Sequence, residues 1–139
     1  MLAASRYPNH AQPLWNLPGG RQRNDELLGA ALAREFREET GLEIAVEGLL
    51  YVSESHDRAT ATHFLNVTFA VTAAADAEPQ LPKADAHVVA LEWVERNRVA
   101  ARLPTRAVRE PLTAYLRGEA RRYFGFVDAG ITIVFADPD

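Results

Sequence analysis

The apolar positions along the chain change period twice. Over residues 25–40 strong helix formers dominate, and Leu28, Leu32 and Phe36 recur every fourth position, which predicts an amphipathic helix with one buried stripe. Asn24 or Asp25 is placed to cap its first free amides and Gly41 to end its last turn. Gly29 within it costs about 1 kcal/mol relative to Ala unless something packs closely there. Beyond Gly41 the period becomes two. Ile44, Val46, Leu50 and Val52 alternate with other residues, as do Leu65, Val67, Phe69 and Val71, and then Val89, Leu91 and Trp93, predicting three strands. A second helical region spans residues 105–117, where Pro111 must either begin a helix or kink one. The apolar, β-branched run 131–136 after Gly130 predicts a final strand. The first twenty residues hold Pro8, Pro13, Pro18 and the Gly19-Gly20 pair, so they read as loop with at most a short strand at residues 1–5. Segments 56–61 and 73–84 read as surface loops without repeats.

Composition narrows the class. The chain has 139 residues, 47% hydrophobic and 24% charged, which fits one ordinary globular domain, residues 1–139, large enough to bury a core without staples. It contains no cysteine, so disulfide frameworks, thiolate metal sites and cysteine nucleophiles are excluded. No apolar run approaches the ~18 residues of a membrane span, and the first residues lack a secretory core, so the expected location is the cytoplasm. A net charge of −4 without a basic run gives no footprint for a long nucleic acid. Small anionic substrates remain, provided local positive charge or a metal receives them.

The acidic residues of segment 20–42, GRQRNDELLGAALAREFREETGL, are clustered. Glu35, Glu38 and Glu39 stand at i, i+3 and i+4, on one helical face and within reach of a common point. Like charges so spaced repel by a few tenths of a kcal/mol per pair, and the helix C-terminus adds an unfavourable dipole interaction. A local cost of this kind points to a functional site. Oxygen ligands at helical spacing suit Mg²⁺ or Mn²⁺, which typically bridge carboxylates to substrate phosphates. A blander reading has Arg34 and Arg37 neutralising the glutamates in exposed pairs.

The wider segment resembles the Nudix box of the Nudix hydrolases. Gly20, Glu26, Arg34, Glu35, Phe36, Glu38, Glu39, Gly41 and Leu42 occupy every constrained position in register, and Leu17-Pro18-Gly19 matches the family's approach to it. The resemblance implies a Nudix-like α/β/α sandwich with a mixed sheet and a pyrophosphohydrolase acting on nucleoside diphosphates linked to another group. It implies Glu38 and Glu39 as the main metal ligands, and Glu35 as a further ligand or the general base. The Gly20 carbonyl is implied as another ligand, and Glu26 with Arg34 as the pair bracing the loop. Catalysis would rest on Glu35, Glu38 and Glu39. Metal neutralises phosphate oxygens and lowers the pKa of bound water, which is what a charged pyrophosphate linkage needs for hydrolysis.

Outside the constrained positions, Arg21 and Arg23 are candidates to meet substrate phosphates, or else exposed loop arginines. Trp15 reads as packed beneath the loop. His87 lies where relatives often place a glutamate, and imidazole could serve as ligand or base, or be structural; His56 and His63 are weaker candidates. Most Nudix domains have two strands before the Leu-Pro-Gly-Gly approach. Here the N-terminal strand is missing, or is replaced from the C-terminal end by 131–136, in the same or a neighbouring chain; otherwise the true start lies upstream of Met1. The auxiliary signatures of ADP-ribose, dinucleoside polyphosphate and NADH pyrophosphatases are absent, which leaves nucleoside triphosphates or nucleotide sugars as expected substrates. The competing class is a non-catalytic Nudix-like nucleotide-binding or regulatory module. Expected partners are a small nucleotide and, as an open assembly, a second copy in a homodimer, with no membrane.

Overall fold

The computed structural model describes residues 1–83 and 86–129. In chain order the elements are β1 (Leu2–Ser5), β2 (Leu14–Asn16), α1 (Leu28–Thr40), β3 (Ile44–Asp57), β4 (Thr62–Ala73), β5 (Val88–Glu92), α2 (Arg96–Arg102), α3 (Arg106–Leu116) and β6 (Tyr123–Val127). Among the described residues these strands form two three-stranded sheets. In the first, β1 lies between β2 and β5 and is antiparallel to both. In the second, the long antiparallel hairpin β3–β4 is extended by β6, which runs parallel to β3, so this sheet is mixed. With the three helices they form an α/β architecture with a mixed sheet, as the resemblance implies.

The core joins the sheets through the helices. Leu2 of β1, Tyr51 of β3 and Phe124 of β6 are buried together with Val99 and Leu103 near α2 and with Leu112 of α3. The Tyr51 ring meets Phe124 edge-on at 5.9 Å and lies 6.1 Å from Tyr115. Leu2 and Leu103 are fully sequestered, each contributing roughly 1.5–3 kcal/mol of hydrophobic stabilisation. On the other side α1 rests on β3, with Phe36 and the following Leu42 buried. Gly41 ends α1 in the left-handed region at φ 71°, and its N–H donates to the Arg37 carbonyl at 2.9 Å. Thr40 is fully buried: its hydroxyl donates to the Phe36 carbonyl and accepts from the Leu42 N–H.

Several expectations change. The helix starts at Leu28, and its N-cap, Leu27, makes no side-chain cap, so neither Asn24 nor Asp25 caps it. The cause is tertiary: the Glu26 carboxylate is drawn back onto Arg34 and the Arg23 N–H, which folds residues 24–26 into a turn. Leu28 is exposed, and the buried stripe runs instead through Ala31, Phe36, Glu39 and Thr40. The N-terminal segment, expected to be mostly loop, contains β2 as well as β1, and β1 is buried along its whole length as a central strand. Strand β5 ends at Glu92, leaving Trp93 beyond it and exposed. Of the two places open to Pro111, the structure rules out the start of α3, since it sits buried inside the helix. The expected strand at 131–136 lies outside the described residues.

Candidate active site

Strand β2 delivers the chain through Leu17 and Pro18 into the Gly19-Gly20 turn, which comes to rest against the last turns of α1. The Gly19 N–H donates to Glu39 Oε2 at 3.2 Å. Gly20 lies so close to Glu35 that a Cβ built on it would overlap the Glu35 carboxyl, both of whose oxygens lie at 2.5 Å from that position. Backbone thus approaches two of the three clustered carboxylates, and at Gly20 the Glu35 carboxyl can stand where it does only because that residue has no side chain.

Arg34 organises the remainder. Its guanidinium, shielded to 15% exposure, donates through Nε and Nη2 to Glu26, with the shortest contact at 2.5 Å. Nη2 also donates to the Arg21 carbonyl at 3.0 Å, while Nη1 donates to Glu35 at 2.9 Å and to Glu38 at 3.2 Å. One planar fork therefore ties the loop to the helix and lies between the carboxylates it neutralises. The Arg34 hydrogen bond and the Arg23 N–H hold the Glu26 pKa down at about 2. Arg37 takes no part: it pairs with Glu43, at 2.5 Å and 3.1 Å.

The three glutamates occupy different environments. Glu39 is buried, its carboxylate shared between Gly19 and His87, whose Nε2 stands 3.5 Å from Oε1. Glu35 is half-buried, and burial raises its pKa; Arg34 opposes this, while the negative charges of Glu39 and Glu38 add to it. Glu38 is half-exposed, with Arg23 Nη2 at 3.8 Å from Oε1. Among the described residues no three His, Asp or Glu side chains converge as a closed metal cage, because Arg34 holds two of these carboxylates and Gly19 the third. Glu35 nonetheless feels the charge of both others.

Other sequence candidates also find their places. His87 precedes β5, and the hydrogen bond to Glu39 raises its pKa despite partial burial. Trp15 packs against the core with the Arg102 guanidinium 4.8 Å from its ring. His56 and His63 pair with each other on the β3–β4 hairpin, ring centroids 5.8 Å apart, and His63 contacts Glu54 at 2.8 Å. Tyr7 was not foreseen. Its phenol bonds to the Asn16 and Ser5 side chains and stands close enough to Glu39 to feel its charge; burial first, then that charge, raises its pKa. No spacing in the sequence signals this neighbour, since pairing of β1 with β2 brings it there.

The family model described as NUDIX domain matches residues 1–116. The chain belongs to the Nudix family. This Nudix chain is 30% identical to a MutT Nudix hydrolase from Burkholderia pseudomallei, over 81% of its own length and 84% of that chain, with a TM-score of 0.58. The MutT protein from Methanosarcina mazei Go1 shares its fold at a TM-score of 0.64 and 23% identity, over 86% and 85% of the two chains. An ADP-ribose pyrophosphatase from Streptococcus suis does so at 0.56 and 17%, over 90% and 87%. No curated protein matches. As a Nudix hydrolase the chain is a pyrophosphohydrolase of nucleoside diphosphate derivatives, in a family that generally uses divalent metals. Among the described residues no helix is long and apolar enough to cross a membrane.

Proposed function

We propose that residues 1–139 act as one Nudix domain that hydrolyses a pyrophosphate bond in a nucleoside triphosphate or a nucleotide sugar, using Mg²⁺ or Mn²⁺ held by Glu35, Glu38, Glu39 and the Gly20 carbonyl. The observation that carries this reading is the side-chain-free approach of Gly20 to the Glu35 carboxyl, next to buried Glu39. The donors are all oxygens, as a hard divalent cation requires, and the Glu35 carboxyl takes up the room that a Cβ would fill at Gly20. When bound, the metal would neutralise phosphate oxygens and make a water nucleophilic at neutral pH.

The chain's own residues divide the remaining work. Arg34 and Glu26 fix the loop on the helix so that the Gly20 backbone keeps its place. Glu35, half-buried beside like charges, has the proton affinity to accept a proton from an attacking water at its carboxylate. His87 and the Gly19 N–H hold the Glu39 carboxylate in one orientation. Arg21 and Arg23, on the exposed loop, supply cations for substrate phosphates. The test is release of phosphate or pyrophosphate from nucleoside triphosphates, nucleotide sugars, ADP-ribose and dinucleoside polyphosphates, with Mg²⁺ or Mn²⁺ and with EDTA. Metal-dependent turnover of a triphosphate or nucleotide sugar is expected. Turnover that EDTA leaves intact, or none on either class, would overturn the proposal.

A further inference from the structure

The mixed sheet carries two exposed histidines that pyrophosphate hydrolysis does not use. His56 of β3 and His63 of β4 are direct cross-strand partners. The His56 carbonyl accepts from the Asp128 N–H at 2.9 Å, on the side of β6. The N–H and C=O of one strand residue point the same way, so His56 turns neither toward β4. Its pairing with His63 is therefore of the non-hydrogen-bonded kind, in which facing side chains stand closest. The two rings accordingly meet, with centroids 5.8 Å apart. Glu54, two residues before His56, shares that face of the sheet, and its Oε2 lies 2.8 Å from His63 Nε2.

The third strand of the sheet holds Glu54 in place. Tyr123 of β6 donates its hydroxyl to Glu54 Oε1. Gly125, the register partner of Glu54, makes this reach possible, since a Cβ there would stand 3.3 Å from the Tyr123 hydroxyl. The phenol thus lies across a position without a side chain and leaves Oε2 to the histidines. Asp128, nearby, is engaged by the Arg58 N–H at 2.9 Å and Nε at 2.7 Å, and is not counted among the donors.

We propose that Glu54, His56 and His63 form a site for a single Zn²⁺ ion, with Tyr123 orienting the carboxylate. Two imidazoles and one carboxylate are a donor set that suits Zn²⁺ and leaves a fourth position for water. The nitrogen donors set it apart from the all-oxygen group on α1, which suits Mg²⁺. The spacing fits as well. With Zn–N of ~2.05 Å, about 1.15 Å from nitrogen to ring centre and a tetrahedral angle at the metal, two ligating imidazoles have centroids ~5.2 Å apart. The observed 5.8 Å is close to that. Among the described residues no three such donors already meet at one point. Here the adjustment is a rotation of two exposed imidazoles, which exposed side chains make on the picosecond to nanosecond scale. An ion so held would clasp β3 to β4 and, through Tyr123, engage β6.

Calorimetric titration of the full chain with Zn²⁺ tests this, in the parent and in Glu39→Gln, which disables the glutamate site. A binding event is expected that Glu39→Gln retains and that His56→Ala and His63→Ala each weaken by about tenfold or more. Tyr123→Phe should weaken it by about tenfold, as loss of a group orienting a metal ligand does. Zn²⁺ should also raise the thermal midpoint of the parent and not that of the histidine variants. No Zn²⁺ binding by the parent, binding abolished by Glu39→Gln, or equal affinity in the parent and both histidine variants would overturn the inference. The first of these does not depend on any variant folding, and all are read as binding, without turnover. Parental affinity in Tyr123→Phe would overturn the role given to Tyr123.

Discussion

Gly20→Ala separates a functional approach of backbone to carboxylate from an incidental one. Gly20 is exposed and not in the left-handed region, so alanine can adopt its backbone conformation. The added methyl, however, would stand 2.5 Å from both Glu35 carboxylate oxygens, where ordinary contact begins at 3.4 Å. Backbone and carboxylate must therefore part by about 1 Å. Because the Glu35 carboxyl is the far end of a flexible side chain, it can give way at small cost to the fold. A misplacement of about 1 Å at reacting groups costs about 100-fold in rate, or ~2.7 kcal/mol of transition-state stabilisation. The expected result is a hundredfold fall in kcat/KM with the thermal midpoint within about 2 °C of the parent. Gly48→Ala, where a Cβ meets nothing within 4 Å, should leave turnover unchanged. In a Glu35→Ala background the Gly20→Ala penalty should vanish, since the two act as one unit. Activity of Gly20→Ala within threefold of the parent would refute the reasoning.

Three other substitutions probe the remaining pieces. Glu39→Gln keeps an oxygen to accept from the Gly19 N–H but removes the charge, so turnover should fall about 1,000-fold or more with folding retained; near-parental kcat under saturating Mg²⁺ would remove Glu39 from the metal site. Glu26 has its folded pKa lowered from 4.5 to about 2, so its contribution to stability is complete above pH ~4.5 and is lost as pH falls through about 2. Melting of parent and Glu26→Gln should accordingly show a constant gap from pH 5 to 8 that closes between pH 4.5 and 2; a gap independent of pH would contradict the Arg34 pairing. At Gly29 an added Cβ meets only Val46 Cγ2, at 4.0 Å, so nothing packs closely enough to require glycine. Gly29→Ala should raise stability by about 0.5–1 kcal/mol, or about 2–4 °C in Tm, and a lower melting temperature would show that the site is tighter than it looks.

What the sequence reveals about this chain follows the range of the interactions involved. The Glu35, Glu38 and Glu39 cluster is legible because its register is local, with helical spacing alone putting the three on neighbouring turns. Gly41 is legible for the same reason, since a helix end in the left-handed region is a property of a few residues. The start of α1 is misread because it depends on Arg34, eight residues away, pulling Glu26 out of a helical path. Strands β2 and β6 escape notice because they are short and form by pairing: β2 needs β1, and β6, interrupted by Gly125, needs β3. The same distinction governs charge. From spacing alone Arg34 and Arg37 are equivalent partners for the glutamates, but only Arg34 faces the loop, and there it makes contacts to Glu26, Glu35, Glu38 and the Arg21 carbonyl that no pair of exposed ions would need. Arg37, turned outward, goes to Glu43 at 56% exposure. Arg34 lies where a cation offsets the mutual repulsion of the carboxylates, so it allows them to stay clustered in the folded chain. The helix can therefore keep an electrostatically unfavourable arrangement because it carries its own compensating cation, and the loop in turn holds that cation in place through Glu26 and the Arg21 carbonyl.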